Sequence, residues 1–131
     1  MKVSIIIPVY NEASYVDEVV AAVQAAPLCA GISGREIVLI DDGSADGSAE
    51  RLERYRGQPG FLLLRTEANQ GKGSAVRLGL AHASGEVIVL QDADLEYDPR
   101  DYAALLAPIA RGEARVVVGA RSALFAPALD L

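Results

Sequence analysis

The chain of 131 residues has few of the side chains from which thiol or imidazole chemistry is built. Cys29 is its only cysteine, which excludes an intrachain disulfide and a cysteine-based metal cluster. We interpret Cys29 as a small residue packed near a helix end rather than as a reactive thiol. The only histidine, His82, falls inside a predicted helix, and we interpret it as structural or surface-exposed. No Ser-His-Asp or Cys-His arrangement can be assembled around it.

A concentrated basic face and a long apolar run are also missing. The 12 Lys and Arg residues are scattered, and 18 Asp and Glu residues give a formal net charge of −6, which argues against nucleic acid as a partner. No stretch approaches the roughly 20 apolar residues of a membrane span. Pro8 and Asn11 end the first apolar run before a signal peptide could form. We therefore expect a cytoplasmic protein, and attachment of a full-length form to the membrane surface stays open.

The chain does contain a regular alternation of strand and helix patterns. Hydrophobic residues make up 51% of the sequence, enough for one core over an open sheet. Buried-strand runs are predicted at residues 3–9, 36–40, 61–64, 86–90 and 115–119, with helical patterns between them. This order predicts an α/β fold with a mostly parallel sheet and helices on both faces.

Several helix and chain ends can be predicted in more detail. Ser14 and Asp17 have the spacing of a capping box at the first helix. Asp98 and Pro99 pair an N-cap with proline at the first helical position. Residues 122–131 show no pattern, and we expect a loop or a frayed end there.

Acidic residues follow the predicted strand at 86–90, at the sheet edge where ligands bind in open α/β folds. Alternation along an extended chain would place Asp92, Asp94 and Glu96 on one side. Three carboxylates so close would suit a hard cation such as Mg²⁺ or Mn²⁺. A solvated acidic turn before a helix explains the same spacing, so both interpretations stay open.

Two further loops can be interpreted either as parts of a binding site or as ordinary structural turns. Residues 41–44 are ordinary turn formers, or they supply a carboxylate to a base or a ribose hydroxyl. Residues 69–73 resemble a phosphate cradle, in which Lys72 would contact an anion at a helix N-terminus. The alternative is a helix entry with a solvated lysine, since neither the Walker nor the dinucleotide template is complete.

Taken together, these segments resemble the family 2 glycosyltransferases, most closely the bacterial relatives of dolichyl-phosphate mannosyltransferase. Each segment alone is weak, but five in family order are highly specific. The matching stretches are Ile5-Ile6-Ile7-Pro8-Val9-Tyr10-Asn11-Glu12, Asp41-Asp42-Gly43-Ser44-Ala45-Asp46-Gly47-Ser48, Asn69-Gln70-Gly71-Lys72-Gly73, Gln91-Asp92-Ala93-Asp94-Leu95-Glu96-Tyr97-Asp98-Pro99 and Val118-Gly119-Ala120-Arg121.

The resemblance implies a GT-A fold, a GDP- or UDP-sugar donor, a divalent cation (Mg²⁺ or Mn²⁺) and a polyprenyl-phosphate acceptor at the membrane surface. It implies that Asp92 and Asp94 are the catalytic carboxylates and that Asp94 and Glu96 are metal ligands. Glu96 stands where the mannosyltransferases usually carry Gln. With Lys72 added from its position at a helix start, the expected nucleotide-sugar-binding residues are Pro8, Tyr10, Glu12, Ile40, Asp42, Lys72, Asp92, Ala93 and Arg121.

Individual roles follow from the same resemblance. Ile40 and Asp42 would contact the base and ribose, and Asp92 and Ala93 would lie near the nucleotide or sugar. Arg121 would approach the diphosphate or the lipid phosphate. Because the acceptor is already an anion, no strong general base is needed.

The extent of the chain leads to a further expectation. Family members usually continue well past the last motif, so we expect residues 1–121 to form a C-terminally truncated, donor-binding half-domain that transfers sugar poorly and exposes surface for self-association. A nucleotidyltransferase stays open, although it would carry a glycine-rich basic loop where Tyr10, Asn11 and Glu12 stand. A non-catalytic nucleotide-binding or interaction fragment stays open as well.

Overall fold

A computed structural model describes residues 1–93, 98–114, 116–118 and 123–125. The strands are β1 Lys2–Val9, β2 Gly34–Asp41, β3 Phe61–Arg65, β4 Val87–Leu90, β5 Val116–Val118 and β6 Ala123–Phe125. The helices are α1 Val16–Ala25, α2 Ser48–Glu53, α3 Lys72–His82 and α4 Tyr102–Ala110, with a 3₁₀ turn at Pro99–Asp101 before α4. No helix in these ranges is both long and apolar enough to cross a bilayer.

The six strands form one sheet in the order β3-β2-β1-β4-β6-β5. The first four are parallel, with Lys2 opposite Gly34 at one end of β1 and Val9 opposite Asp41 at the other. After β3 the chain returns through α3 and adds β4 on the free side of β1. The direction of winding therefore reverses between β1 and β4, where open α/β sheets bind their ligands.

The alternating side chains of β1 divide the core between the two faces of the sheet. Val3, Ile5 and Ile7 are fully buried in one cluster with residues of α1, α2 and α4. Ile6 points to the opposite cluster, which contains Ala75 of α3. A strand buried on both faces shows this period of two as a continuous apolar run. The prediction of helices on both faces is confirmed.

Helix α3 packs directly against the sheet at Gly79, which has no side chain. A Cβ atom at Gly79 would lie 2.9 Å from Ile6 Cγ2 and 3.0 Å from Ile40 Cδ1. The two isoleucines belong to β1 and β2, so the helix is seated over both strands. The helix begins at Lys72, which lies at the carboxyl edge of the sheet.

The capping box predicted at the first helix is wrong. Helix α1 begins at Val16, and no side chain caps its N-terminus. The carboxylate of Asp17 instead accepts a hydrogen bond from the Tyr55 hydroxyl (2.9 Å) and pairs with Arg51 and Arg54 (3.0 and 3.2 Å). These contacts join α1 to the α2 region, so the Asp17 carboxylate does not cap the N-terminus of α1.

The C-terminal expectation also needs correction. Ala123–Phe125 form β6, which is antiparallel to both β4 and β5, so the sheet continues beyond residue 121. The other end signal is confirmed, since Asp98 Oδ1 accepts the Arg100 N–H at 2.9 Å before the 3₁₀ turn.

Candidate functional site

A cleft of about 340 Å³ opens at the carboxyl edge of β1, β2 and β4. This volume is in the range of small-molecule sites. We call it the carboxyl-edge cleft, and its lining residues are Pro8, Val9, Tyr10, Glu12, Asp42, Asn69, Gly71, Lys72, Asp92 and Ala93.

The loop after β1 is tied to the loop after β2 by reciprocal hydrogen bonds. Asn11 has a positive φ of 53°, and its N–H donates to Ser44 Oγ at 3.0 Å. Asn11 Oδ1 accepts the Ala45 N–H at 2.8 Å, and the Glu12 N–H donates to Ser48 Oγ at 2.9 Å. The two loops therefore form one wall of the cleft.

Asp46 completes this wall. Its carboxylate accepts the Ala13 N–H at 3.1 Å, the Ser48 N–H at 3.0 Å and the Ser48 hydroxyl at 2.6 Å. The hydrogen bond from the Ser48 hydroxyl is the main cause that lowers the pKa of Asp46 below its ordinary value. Tyr10, held on this wall, leaves 45% of its surface exposed to the cleft mouth and solvent.

Asp42 lies at the base of the cleft with only 3% of its surface exposed. Its Oδ1 accepts the Gln70 N–H at 3.1 Å and lies 2.8 Å from the Thr66 hydroxyl oxygen. Its Oδ2 accepts the Gly71 N–H at 3.0 Å. The carboxylate therefore binds the loop that leads into α3.

Lys72 and Asp92 form an ion pair across the cleft. Lys72 is the first residue of α3, and Asp92 lies two residues after β4. Their side chains are 60% and 20% exposed. A positive and a negative group thus face each other at the point where β1 and β4 diverge.

Helix α4 is hydrogen-bonded to the residues that follow β4. Gln91 and Tyr102 are each 1% exposed, and the Tyr102 hydroxyl donates to Gln91 Oε1 at 2.5 Å. Gln91 Nε2 donates in turn to the Asp92 carbonyl at 3.1 Å. Burial raises the pKa of the Tyr102 hydroxyl well above its ordinary value, which keeps it a neutral donor. This support for Asp92 was missed in the sequence, where Tyr102 reads as one more core residue of the helix.

Most of the sequence-predicted site residues within the described ranges meet in this cleft. Those it brings together are Pro8, Tyr10, Glu12, Asp42, Lys72, Asp92 and Ala93. Ile40 is not among the described lining residues, because its side chain is fully buried in the core cluster under α3. Asp94, Glu96 and Arg121 lie outside the described residues.

Asn69 and Gly71 line the cleft although only Lys72 was singled out from their segment. The resemblance to a phosphate cradle was the signal that pointed to them. Cys29 packs against the first core cluster, as expected. His82 is exposed at the last residue of α3, at the opposite end of that helix from the cleft.

The described residues contain no group of three His, Cys, Asp or Glu side chains arranged to hold a metal. Asp92 is the described member of the predicted acidic segment, and its carboxylate already holds a cationic group, the Lys72 ammonium. Carboxylate oxygens at such a position are the donors that Mg²⁺ and Mn²⁺ prefer.

Fold and cleft together define a doubly wound α/β protein with a cleft of small-molecule size at its topological switch point. The sequence profile described as "Glycosyl transferase family 2" matches residues 4–127. The chain belongs to this family.

Curated relatives are similar over most of the chain. The undecaprenyl-phosphate 4-deoxy-4-formamido-L-arabinose transferase of Enterobacter sp. (strain 638) is 37% identical over 113 residues, which are 85% of this chain and 34% of the relative. The enzyme of the same name from Klebsiella pneumoniae is 38% identical over 114 residues, with the same coverage. The chain thus spans about a third of the length of the curated relatives it matches.

Solved structures confirm the GT-A architecture. The mannosyltransferase PcManGT from Pyrobaculum calidifontis, in complex with GDP-Man and Mn²⁺, aligns with a TM-score of 0.72 at 25% identity, covering 95% of this chain and 44% of that one. S. aureus TarS 1-349 in complex with UDP aligns with a TM-score of 0.69 at 28% identity, covering 88% and 34%.

Proposed function

We propose that this chain supplies the donor-binding half of a glycosyltransferase that moves a sugar from a GDP- or UDP-sugar to a polyprenyl phosphate. The observation that carries the proposal is the carboxyl-edge cleft, where Tyr10, Lys72 and Asp92 face one volume at the switch point of the sheet. A phosphate oxygen of the acceptor would attack the anomeric carbon, and the nucleoside diphosphate would leave.

The cleft offers a separate group for each part of such a donor. The exposed ring of Tyr10 presents an aromatic face on which a base can stack. Lys72, at the N-terminus of α3, supplies positive charge for a diphosphate. Asp92 and Ala93 line the same cleft and are proposed to face the sugar. PcManGT and TarS, which resemble this chain in fold, hold GDP-Man and UDP in their structures.

The choice of acceptor rests on the curated relatives, whose names specify undecaprenyl phosphate. A phosphate acceptor is an anionic nucleophile, so the chemistry needs positioning and charge stabilisation more than a strong base. The exposed position of His82, at the far end of α3, agrees with this requirement.

Asp94 and Glu96 are proposed to hold Mg²⁺ or Mn²⁺, beside the Asp92 carboxylate. When bound, the cation would neutralise negative charge on the leaving diphosphate. Arg121 is proposed to approach the diphosphate or the lipid phosphate. These three assignments rest on the sequence motifs and on the position of Asp92.

Calorimetric titration with GDP and UDP, each with and without Mn²⁺, tests the proposal without needing sugar transfer. We expect one of the two nucleotides to bind, and Mn²⁺ to strengthen its binding. Asp94→Ala should abolish the metal-dependent part and leave the fold intact by circular dichroism. Glu113→Gln removes a charge from an exposed pair with Arg111 and serves as the control. Absence of binding by both nucleotides would refute the proposed function, and unchanged binding in Asp94→Ala would remove that residue from the metal site.

A further inference from the structure

Residues 10–13, which we call the β1 turn, carry the exposed ring of Tyr10 at the mouth of the carboxyl-edge cleft. Directly before the turn, the Val9 carbonyl accepts the Asp42 N–H at 2.9 Å. Directly after Tyr10, Asn11 turns the chain with a φ of 53°. Asparagine is one of the few residues that adopt this left-handed conformation readily. The backbone that carries the ring therefore lies between a fixed strand end and a sharp turn.

Asn11 binds the loop after β2 through both its backbone and its side chain. Its N–H donates to Ser44 Oγ at 3.0 Å, and its Oδ1 accepts the Ala45 N–H at 2.8 Å. A glycine would adopt the same φ but would lack the side-chain oxygen. The Asn11 side chain thus adds a contact that the backbone conformation alone does not require.

Asp46 binds the second half of the β1 turn. Its Oδ2 accepts the Ala13 N–H at 3.1 Å. Its Oδ1 accepts the Ser48 hydroxyl at 2.6 Å, and the oxygen of that hydroxyl accepts the Glu12 N–H at 2.9 Å. Ser48 is fully buried, so its hydroxyl is both donor and acceptor within the protein. One carboxylate therefore holds two consecutive N–H groups of the turn, one directly and one through Ser48.

We propose that Asp46 and Asn11 are positioning residues, which hold the β1 turn so that the Tyr10 ring stacks on the base of the donor. This inference rests on the proposed function, because it needs a base beside Tyr10. Neither Asp46 nor Asn11 is among the described residues that line the cleft, so each acts through Tyr10. A ring on an ordered backbone loses less conformational freedom when it binds a ligand.

A double-mutant cycle with Tyr10→Ala tests the proposal in the 131-residue protein, by calorimetry with whichever of UDP and GDP binds. In Asp46→Asn an amide nitrogen replaces one carboxylate oxygen, so the contacts with Ala13 and with Ser48 cannot both be kept. We expect nucleotide affinity to fall about fivefold. In a Tyr10→Ala background the same substitution should change affinity less than about twofold.

The cycle also sets an upper limit on the effect. A residue that acts only through the Tyr10 ring cannot cost more affinity than removal of that ring, so the loss in Asp46→Asn should stay below the loss in Tyr10→Ala. The charge that Asp46→Asn removes is the same in both backgrounds, and its effect on the diphosphate therefore cancels in the cycle.

Asp17→Asn is the matched control. It also removes one carboxylate charge, and the Asp17 carboxylate also bonds to the α2 region, through the Tyr55 hydroxyl, Arg51 and Arg54. These contacts lie outside the β1 turn. We expect the free energy of unfolding to fall and nucleotide affinity to stay within about twofold of the unaltered protein.

Asn11→Gly provides a second approach if Asp46→Asn does not fold. Glycine keeps the φ of 53° without strain, and only the bond from the Ala45 N–H is lost. We expect a loss of about threefold in nucleotide affinity, and again only while Tyr10 is present.

Hydrogen exchange gives a readout that needs no ligand. The Glu12 and Ala13 amides should exchange faster in Asp46→Asn, and the Ala45 amide should exchange faster in Asn11→Gly. Asn11→Asp retains an acceptor oxygen and should return the Ala45 amide to its rate in the unaltered protein.

Two results would overturn the proposal. One is an equal loss of affinity for Asp46→Asn with and without the Tyr10 ring, which would mean that Asp46 acts independently of that ring. The other is unchanged affinity in Asp46→Asn, which would limit Asp46 to holding the fold. Failure of the unaltered protein to bind either nucleotide would instead refute the proposed function, and with it the role of Tyr10, whatever the exchange rates show.

Discussion

The two edges of the parallel sheet each hold a carboxylate that accepts several hydrogen bonds, half-buried Glu36 at the amino edge and buried Asp42 at the carboxyl edge. At the amino edge, Glu36 accepts the Ser4 hydroxyl at 2.9 Å, the Ser84 N–H at 3.0 Å and the Ser84 hydroxyl at 2.8 Å. At the carboxyl edge, Asp42 accepts the Gln70 N–H at 3.1 Å and the Gly71 N–H at 3.0 Å. Residue type and hydrogen bonding are therefore alike at the two edges.

The two edges differ in the space that lies beside the carboxylate. At the amino edge, a Cβ atom on Gly85 would lie 2.6 Å from Ser4 Oγ, 2.7 Å from Ser4 N and 2.9 Å from the Lys2 carbonyl oxygen. At the carboxyl edge, the loops diverge around a cleft of about 340 Å³. The chain reverses its winding between β1 and β4, and this topology opens the carboxyl edge. We call the amino edge, where Gly85 packs against Lys2 and Ser4, the closed edge. The hydrogen bonds of the carboxylates therefore do not distinguish the two edges, but the space beside them does.

The largest expected effect is on the closed edge. Gly85→Ala should destabilise the protein by about 3 kcal/mol, because the added methyl meets backbone atoms of Lys2 and Ser4 that cannot move aside cheaply. Urea unfolding measures the loss. Gly34→Ala is the control, since a Cβ there would meet no atom of the described residues within 4 Å. Equal stability of the two variants would contradict the close packing of this edge.

The next effect concerns the charge of Glu36. Burial alone would raise the pKa of Glu36, but hydrogen bonds from Ser84 and Ser4 and the nearby Lys2 bring it below its ordinary value. A carboxyl group with a lowered pKa in the folded state stabilises the protein above its unfolded pKa, about 4.3, and loses that contribution as the pH falls through the folded pKa.

Glu36→Gln should therefore cost about 2 kcal/mol of unfolding free energy at neutral pH and less at pH values near 3. Urea unfolding of both proteins across this range checks the sign. A gap between them that widens in acid would show that the carboxylate form is not the stabilising one. Nucleotide affinity should not change, because Glu36 belongs to the closed edge.

The smallest expected effect is on the open edge and concerns binding rather than stability. Tyr10→Ala should leave the unfolding free energy within about 0.5 kcal/mol and weaken nucleotide binding about tenfold through lost stacking. Tyr15→Ala is the matched control, since Tyr15 is 46% exposed, as Tyr10 is 45%, and is not among the described cleft residues. Equal binding losses in the two variants would argue against a specific role for Tyr10.

The fold was largely predictable because its main signals are local. The apolar run of β1, the apolar stripes of the helices and the Asp98-Pro99 start signal all lie within a few neighbouring residues. The two errors came from contacts between distant segments. Asp17 does not cap α1, because its carboxylate bonds to Tyr55 and to arginines some 35 residues away. The three residues of β6 form a strand because they pair with β4 and β5.

The location of the candidate site could be predicted from the sequence, but the hydrogen bonds within it could not. The family resemblance named Tyr10, Asp42 and Asp92, and these residues follow three parallel strands whose carboxyl ends meet at one edge. The partners of Asp42 could not be predicted, because they are backbone groups of the loop before α3, more than 20 residues away. The same limit hid the support that Tyr102 gives to Gln91.

Amide chemical-shift mapping of the isotope-labelled protein during titration with GDP or UDP and a divalent cation tests the central claim most directly. Diamagnetic Mg²⁺ is the suitable cation. We expect the nucleotide that binds to shift amides of Tyr10, Gly71, Lys72 and Asp92 around the cleft, and to leave Ser4, Glu36 and Ser84 at the closed edge unchanged. Shifts concentrated at the amino edge, or no shifts with either nucleotide, would contradict the assignment of the carboxyl-edge cleft as the donor site.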